Sequence, residues 1–281
     1  MSLNSGTLWI VATPLGNPGD LSPRAREILA TAHAVLTEDT RRAGLLFARC
    51  GLALHAPLLS FHDHNEKERL FPLLEELRLG RDLALISDAG TPLLSDPGYR
   101  LVRACRAEGF RVSPVPGPSA PLAALCASGL PPLPFVFLGF LPRKNSEHEA
   151  LFASYAHLDA TLIFFERKNR LLASLLAAAT VLGRRQVCLA RELTKTHEEF
   201  LFFPLDSPPA LSDGLRGEIT VLLGPPEEKE RASREAVLAR IVREIDLGGK
   251  AREVIRRVRP HARGWSSKEI YDLVRSRAIS L

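Results

Sequence analysis

Short apolar runs at Leu8–Ala12, Ala34–Leu36, Leu58–Leu59, Leu83–Ile86 and Arg111–Val115 each empty into a segment rich in Gly, Pro, Ser, Asp or Asn. Amphipathic stretches lie between them. Short apolar runs bounded by turn residues read as buried strands, and the stretches between them as helices. Ser22-Pro23 supplies an N-cap and a first-turn proline, and further helices are expected from Thr40, from Glu66 to Leu79 with Gly80 as the stop, and from Tyr99 to Gly109. Strict alternation of strand and helix predicts a largely parallel, doubly wound sheet.

The pattern changes after the Pro cluster Gly129–Pro134, which reads as a connector between domains. Strands are expected at Phe135–Phe140, Thr161–Glu166, Val187–Ala190, Glu199–Phe203 and Ile219–Leu223, with helices at Glu147–His157 and Arg170–Leu182. Several of these strands follow one another with no helix between, so the second sheet is expected to be mixed. Beyond Pro225-Pro226, three short helices are expected near Ser233–Ile245, Lys250–Val258 and Ser266–Arg277. The fold class is therefore α/β: two α/β domains, over 1–120 and 121–226, and a small basic helical domain over 227–281.

Composition narrows the class. An apolar fraction of 46% with 25% charged residues supports a sizeable core and argues against disorder. No apolar run is long enough to span a bilayer, and Met1–Gly6 lacks the basic start and apolar middle of a signal peptide, so a cytoplasmic protein is expected. Cys50, Cys105, Cys126 and Cys188 are scattered among apolar neighbours and read as small core residues in a reducing compartment. His62 and His64 cluster around Asp63 without a partner motif at metal-ligand spacing, so no metal is expected. The charge is uneven: Lys229–Leu281 carries 14 Lys and Arg against 7 Asp and Glu, whereas the rest carries 23 against 25. A basic tail on a near-neutral body suits a polyanionic partner, although a solvated helical face gives the same run.

The chemistry concentrates at strand ends. Ile86–Gly98, Ile-Ser-Asp-Ala-Gly-Thr-Pro-Leu-Leu-Ser-Asp-Pro-Gly, runs from a buried strand through a punctuated loop to a helix, where open α/β sheets bind ligands. Ala89 and Gly90 let a ligand lie on the backbone. The loop after the first strand, Thr13–Asp20, lacks the Gly-x-Gly of a dinucleotide fold. Glu38-Asp39-Thr40-Arg41 forms either a site or a helix cap with its ion pairs. Ser119, in the rigid turn Pro116–Ala120, is placed to cap the next helix. There is no P-loop, nucleophile elbow or metal constellation, which leaves a site for an organic cofactor or substrate.

Thr13–Asn17, Glu38–Arg41, His62–Glu66, Ser87–Pro92, Asp96–Gly98, Pro116–Ser119 and Arg191–Lys195 occur in the order of one family. Together they resemble the ribosomal RNA small subunit methyltransferase I family, within the tetrapyrrole-methylase-like superfamily, over essentially the whole chain. That resemblance implies two domains of tetrapyrrole methylase type with S-adenosylmethionine in the cleft between them, and usually a homodimer. The implied acceptor is the 2′-hydroxyl of a decoding-centre cytidine in 16S rRNA of the small ribosomal subunit.

By the same resemblance, Asp88, Ala89, Gly90, Leu93, Ser119 and Ala120 would line the cofactor from one side, and Phe165, Glu166, Leu189 and Ala190 from the other. Glu38, Asp39, His62 and Asp63 are candidates to activate the hydroxyl, Asp39 or Asp63 foremost, although capping helices and orienting Arg41 explains the acids equally well. Arg41, Lys195 and the stripe Arg252, Arg256, Arg257, Arg259 and Arg263 would contact RNA. Arg167-Lys168-Asn169 departs from the family pattern after Phe164-Phe165-Glu166, either adding phosphate contacts at the cleft mouth or facing solvent. Two other readings are a methylase of a tetrapyrrole or modified protein, and a non-catalytic RNA-binding assembly factor.

Overall fold

The computed structural model describes residues 5–209, 217–227, 232–262 and 264–278, and the chain divides into two compact units, Met1–Pro225 and Pro226–Leu281. The first sheet of the larger unit holds β1 (Thr7–Val11), β2 (Ala34–Thr37), β3 (Leu58–Ser60), β4 (Leu83–Ile86) and β5 (Arg111–Val115), all parallel, in the order β3-β2-β4-β1-β5. Every residue of β2 and β4 is buried, as expected of strands covered on both faces. The helices α1 (Pro23–Thr31), α2 (Thr40–Arg49), α3 (Glu66–Arg78) and α4 (Tyr99–Ala107) cover them. Ser22 Oγ accepts the Ala25 N–H at 3.1 Å, which satisfies one of the orphan donors at the start of α1.

The order of strands fixes where a ligand can bind. From β1 the chain crosses β4 to reach β2, and from β4 it crosses β1 to reach β5. The loops after β1 and β4 therefore leave in opposite directions and open a crevice between them. Thr13 and Gly90 clamp its base with two backbone bonds, Thr13 N to Gly90 O at 2.8 Å and Gly90 N to Thr13 O at 3.0 Å.

The second sheet has the order β6-β7-β10-β8-β9, from β6 (Phe135–Phe140), β7 (Thr161–Arg167), β8 (Gln186–Arg191), β9 (Glu199–Pro204) and β10 (Glu218–Leu223). Only β6 and β7 are parallel; the other pairs are antiparallel. Because strand side chains alternate, Leu162, Phe164, Leu189 and Val221 pack toward α6 (His148–Tyr155) and α7 (Lys168–Leu182). Ile163, Cys188, Ala190 and Leu222 face the other way and pack with Ala124 and Leu125 of α5 (Ala120–Ala127). Since α5 already belongs to the second sheet's core, the crossing between sheets lies before it. The proline run Gly129–Pro134 is thus an internal link from α5 to β6, not the connector that its composition suggested.

The smaller unit comprises α8 (Arg234–Asp246), α9 (Ala251–Val258) and α10 (Ser267–Ala278) around Val237, Ile241, Val254, Val258, Ile270 and Val274. Arg257 is committed inside it: its guanidinium donates to Glu244 Oε2 at 2.7 Å and to the carbonyls of Glu244 and Gly248. Arg252 and Arg256 are exposed, Arg259 donates to Ser267 Oγ, and Arg263 lies outside the described residues. Arg257 is thus held within the unit through Nε and Nη2, with its side chain 34% exposed. Of the four cysteines, Cys50, Cys105 and Cys188 are buried, but Cys126 is exposed on α5 and is not a core residue. Among the described residues no helix is long and apolar enough to cross a membrane.

Candidate active site

A cleft of about 230 Å³ lies where the β1 and β4 loops meet the second sheet. Of the residues that the resemblance implied for the cofactor, Ala89, Gly90, Ser119, Ala120, Phe165 and Ala190 line this cleft together with Lys195, whereas Asp88 lines the neighbouring cavities instead. Phe165, Thr220 and Ala190 are direct cross-strand partners on β7, β10 and β8, so one row of the sheet forms the wall. The same alternation removes two expected residues. Leu189 points into the α6–α7 core, and Glu166 is fully buried there, accepting from Ser174 Oγ at 2.6 Å with Arg170 Nη2 at 3.4 Å. Leu93 also turns away, packing with the core of the first sheet. Arg167, Lys168 and Asn169 are exposed outside the cleft lining, so the departure from the family pattern does not alter this wall.

Leu15, Thr91, Leu94, Ser95, Asp96, Glu192 and Leu193, which lie within the sequence motifs or the Ile86–Gly98 stretch but were not assigned to the site, also line the cleft, as do Phe140 and Thr220, which lie outside them. The pairing of β10 with β7, which the sequence does not show, places Thr220, whereas membership of those motifs and that stretch was the available signal for the loop residues. Among the described residues, four non-glycines have positive φ: Leu93, Ser95, Glu192 and Thr194. All four sit in the two loops that bound the cleft, the pattern of backbone strain held at a functional site.

The cleft is built for an organic molecule laid on backbone. Gly90 has φ 84°, and a Cβ there would lie 3.1 Å from Leu15 Cδ2. Ser119 occupies the N-cap position of α5 but makes no capping bond; its Oγ is buried without a partner. A buried hydroxyl left unpaired is costly, and a bound polar ligand explains it. Phe140, Phe165 and Leu193 supply apolar surface that excludes water. Lys195, the one cation among the described residues of the lining, pairs with Glu192 Oε1 at 2.9 Å and packs over Gly16, where a Cβ would come within 2.3 Å of its Cγ.

The acid–base candidates gather elsewhere. Glu38, Asp39, Arg41 and His62 line a separate polar cavity with Asp88 and Arg42, whereas Asp63 is exposed in the turn before α3 and lines neither cavity. Asp39 is the N-cap of α2: its Oδ1 accepts from Arg41 N at 2.9 Å and Arg42 N at 3.4 Å, and its Oδ2 meets Arg41 Nη2 at 3.2 Å. The Arg41 side chain, then its backbone N–H, holds the Asp39 carboxyl below the usual range, which makes it a weak proton acceptor. His62 Nδ1 faces the Asn65 N–H at 3.3 Å, so the neutral ring carries its proton on Nε2. Asp39 and Arg41 form the cap with its ion pair and at the same time line the polar cavity.

Residues 7–209 match the family model described as tetrapyrrole (corrin/porphyrin) methylases. The chain is 44% identical over 278 residues to ribosomal RNA small subunit methyltransferase I of Micromonospora olivasterospora, covering 96% of this chain and 87% of that one. It is 51% identical over 197 residues to the protein of that name from Xylella fastidiosa, covering 70% and 71%. Among solved structures it is similar to the methyltransferase CobJ, with TM-score 0.61 and 21% identity over 82% of this chain and 98% of that one. Diphthine synthase is similar in fold, with TM-score 0.62 and 14% identity over 78% and 90%. The chain is an S-adenosylmethionine-dependent methyltransferase, and it belongs to the ribosomal RNA small subunit methyltransferase I family of the tetrapyrrole methylases.

Proposed function

We propose that the chain methylates the 2′-hydroxyl of a cytidine in the decoding centre of 16S rRNA, acting on the small ribosomal subunit in the cytoplasm as a homodimer. The observation that carries this reading is the likeness, along nearly the whole chain, to relatives named for the small-subunit rRNA. Exposed Leu172 and Leu176, one turn apart on α7, suit a dimer face, and light scattering tests it.

Ala89, Gly90, Ser119, Ala120, Phe165 and Ala190 would hold the cofactor, the small residues against its polar parts and the phenyl ring against its apolar surface. Bound S-adenosylmethionine supplies a methyl group already activated by a positive sulfur. The protein's task is then chiefly alignment in a site shielded from water, a contribution that reaches about 7–11 kcal/mol in well-oriented systems. Residues 1–120 and 121–226 act as the two halves of that site. Lys195 lies where it meets a phosphate or the electron-rich ribose oxygen. Arg41, with its side chain 90% exposed, and Arg252 and Arg256 on the C-terminal unit grip phosphates.

Asp39 orients Arg41, and Glu38 and His62 offer hydrogen bonds to RNA from the polar cavity. On this reading, Ala substitution at Glu38, Asp39 or His62 raises KM for small subunits more than it lowers kcat. A fall of about 100-fold or more in kcat with saturating subunits, the size of a lost acid or base, contradicts it for that residue. The reading as a whole is tested by offering labelled cofactor to small subunits lacking 2′-O-methylation, to a tetrapyrrole and to a modified protein acceptor. Label in the subunit alone supports it; label in another acceptor, or no cofactor binding, overturns it.

A further inference from the structure

A second cavity of about 230 Å³ shares Leu15 and Ala89 with the cofactor cleft. One face of α2 makes much of its wall: Arg42, Leu45, Leu46 and Arg49, at spacings i, i+3, i+4 and i+7. Arg49 Nη2 donates to Gly16 O at 2.7 Å and ties the β1 loop, with Pro14 and Pro18, to this helix. Leu45 is 65% exposed, an apolar side chain that the protein leaves uncovered beside the cavity. Its charged groups are Arg49, which is engaged with Gly16 O, and the pair Arg42 and Asp88, joined Nη1 to Oδ2 at 2.8 Å. Asp88 Oδ1 is buried and has no hydrogen-bond partner, so a carboxylate oxygen keeps its full accepting capacity at this point.

We propose that this cavity takes the base of the acceptor nucleotide, turned out of its stack, and that Asp88 and Arg42 read it as cytosine. The proposal rests on the reading of the chain as an RNA ribose methyltransferase. A ribose whose hydroxyl meets the cofactor cleft carries its base into whatever space adjoins that cleft, and this cavity shares a wall with it. Ligand pockets for larger molecules run to about 300–1,000 Å³, so the space suits a single ring system. Apolar walls with a few fixed polar groups are what an extruded base requires.

Cytosine presents an amino donor at N4 beside acceptors at N3 and O2. A carboxylate accepts from N4 while a guanidinium donates to N3 or O2. Uracil places an acceptor, O4, where cytosine has its amino group, and Asp88 then meets a lone pair. The polar cavity that shares Arg42 and Asp88 gives flanking nucleotides a surface with Arg41 and His62.

The test is single-turnover methyl transfer to small subunits carrying cytidine or uridine at the acceptor position, with cofactor binding by calorimetry as a check on each variant's fold. The wild type is expected to favour cytidine by about tenfold or more, the discrimination of one paired base contact. Asp88→Asn, whose amide both donates and accepts, is expected to bring the two rates together. Leu46→Trp, which fills the cavity, is expected to abolish transfer while cofactor and subunit binding persist. A cytidine preference that survives Asp88→Asn, or transfer that survives Leu46→Trp, overturns the proposal; should Asp88→Asn lose its fold, Leu46→Trp decides alone. Equal wild-type rates on the two subunits defeat base reading but leave the RNA reading standing, whereas transfer to neither defeats both.

Discussion

Gly90 turns with φ 84° against Leu15, so a side chain there is both strained and crowded. Gly90→Val is expected to cost about 1–3 kcal/mol of stability and to lose most cofactor affinity, checked by denaturant unfolding and calorimetry. The cysteines differ chiefly by burial: burial, with the nearby Glu108 charge, raises Cys105 to about 12, burial raises Cys188 to about 11 and Cys50 as well, while Cys126 is exposed. A native thiol titration should therefore find one fast group per chain, Cys126, and all four after unfolding. Asp39 has a carboxyl held down by Arg41, so its contribution to stability is complete above the ordinary carboxylate range and fades as pH falls below about 4. Asp39→Asn should flatten that acid limb, and an unchanged limb contradicts the cap. These roles were only half legible in sequence: Glu38–Arg41 read equally as site or cap, and the bonds from Asp39 to Arg41 and Arg42 show the cap while the same residues line a polar cavity.

Elements were more legible than facings. The Ser22-Pro23 signal places the start of α1 correctly because Ser22 does cap it, and Ser22→Ala is expected to cost about 0.5–2 kcal/mol in urea unfolding. Strand ends were read to within a residue or two from apolar runs between Gly and Pro. What the runs do not carry is which of two neighbours faces the cleft. Phe165 and Ala190 face it and Glu166 and Leu189 do not, a distinction made by the pairing of β7, β10 and β8 across many intervening residues. The proline run before β6 misled for a related reason: composition marks a break in secondary structure, whereas α5 already packs with the second sheet through Ala124 and Leu125.

For the whole molecule, charge and cleft divide the work. The basic excess sits in the C-terminal unit, where Arg252 and Arg256 are exposed while Arg257 is held by Glu244. Replacing Arg252 and Arg256 together with Ala should weaken subunit binding and lower the salt dependence of affinity by roughly one per lost phosphate contact, with kcat at saturation little changed; an unaltered salt slope removes them from the interface. The motifs pointed to a binding cleft at strand ends because small residues and turns leave a mark on sequence, and the strand order opens a cleft there, at the loops after β1 and β4. The most direct measurement is transfer of labelled methyl to unmethylated small subunits followed by nuclease mapping of the product. The account predicts label on one cytidine ribose oxygen of the decoding centre, and label on a base, on several riboses or outside that centre contradicts it.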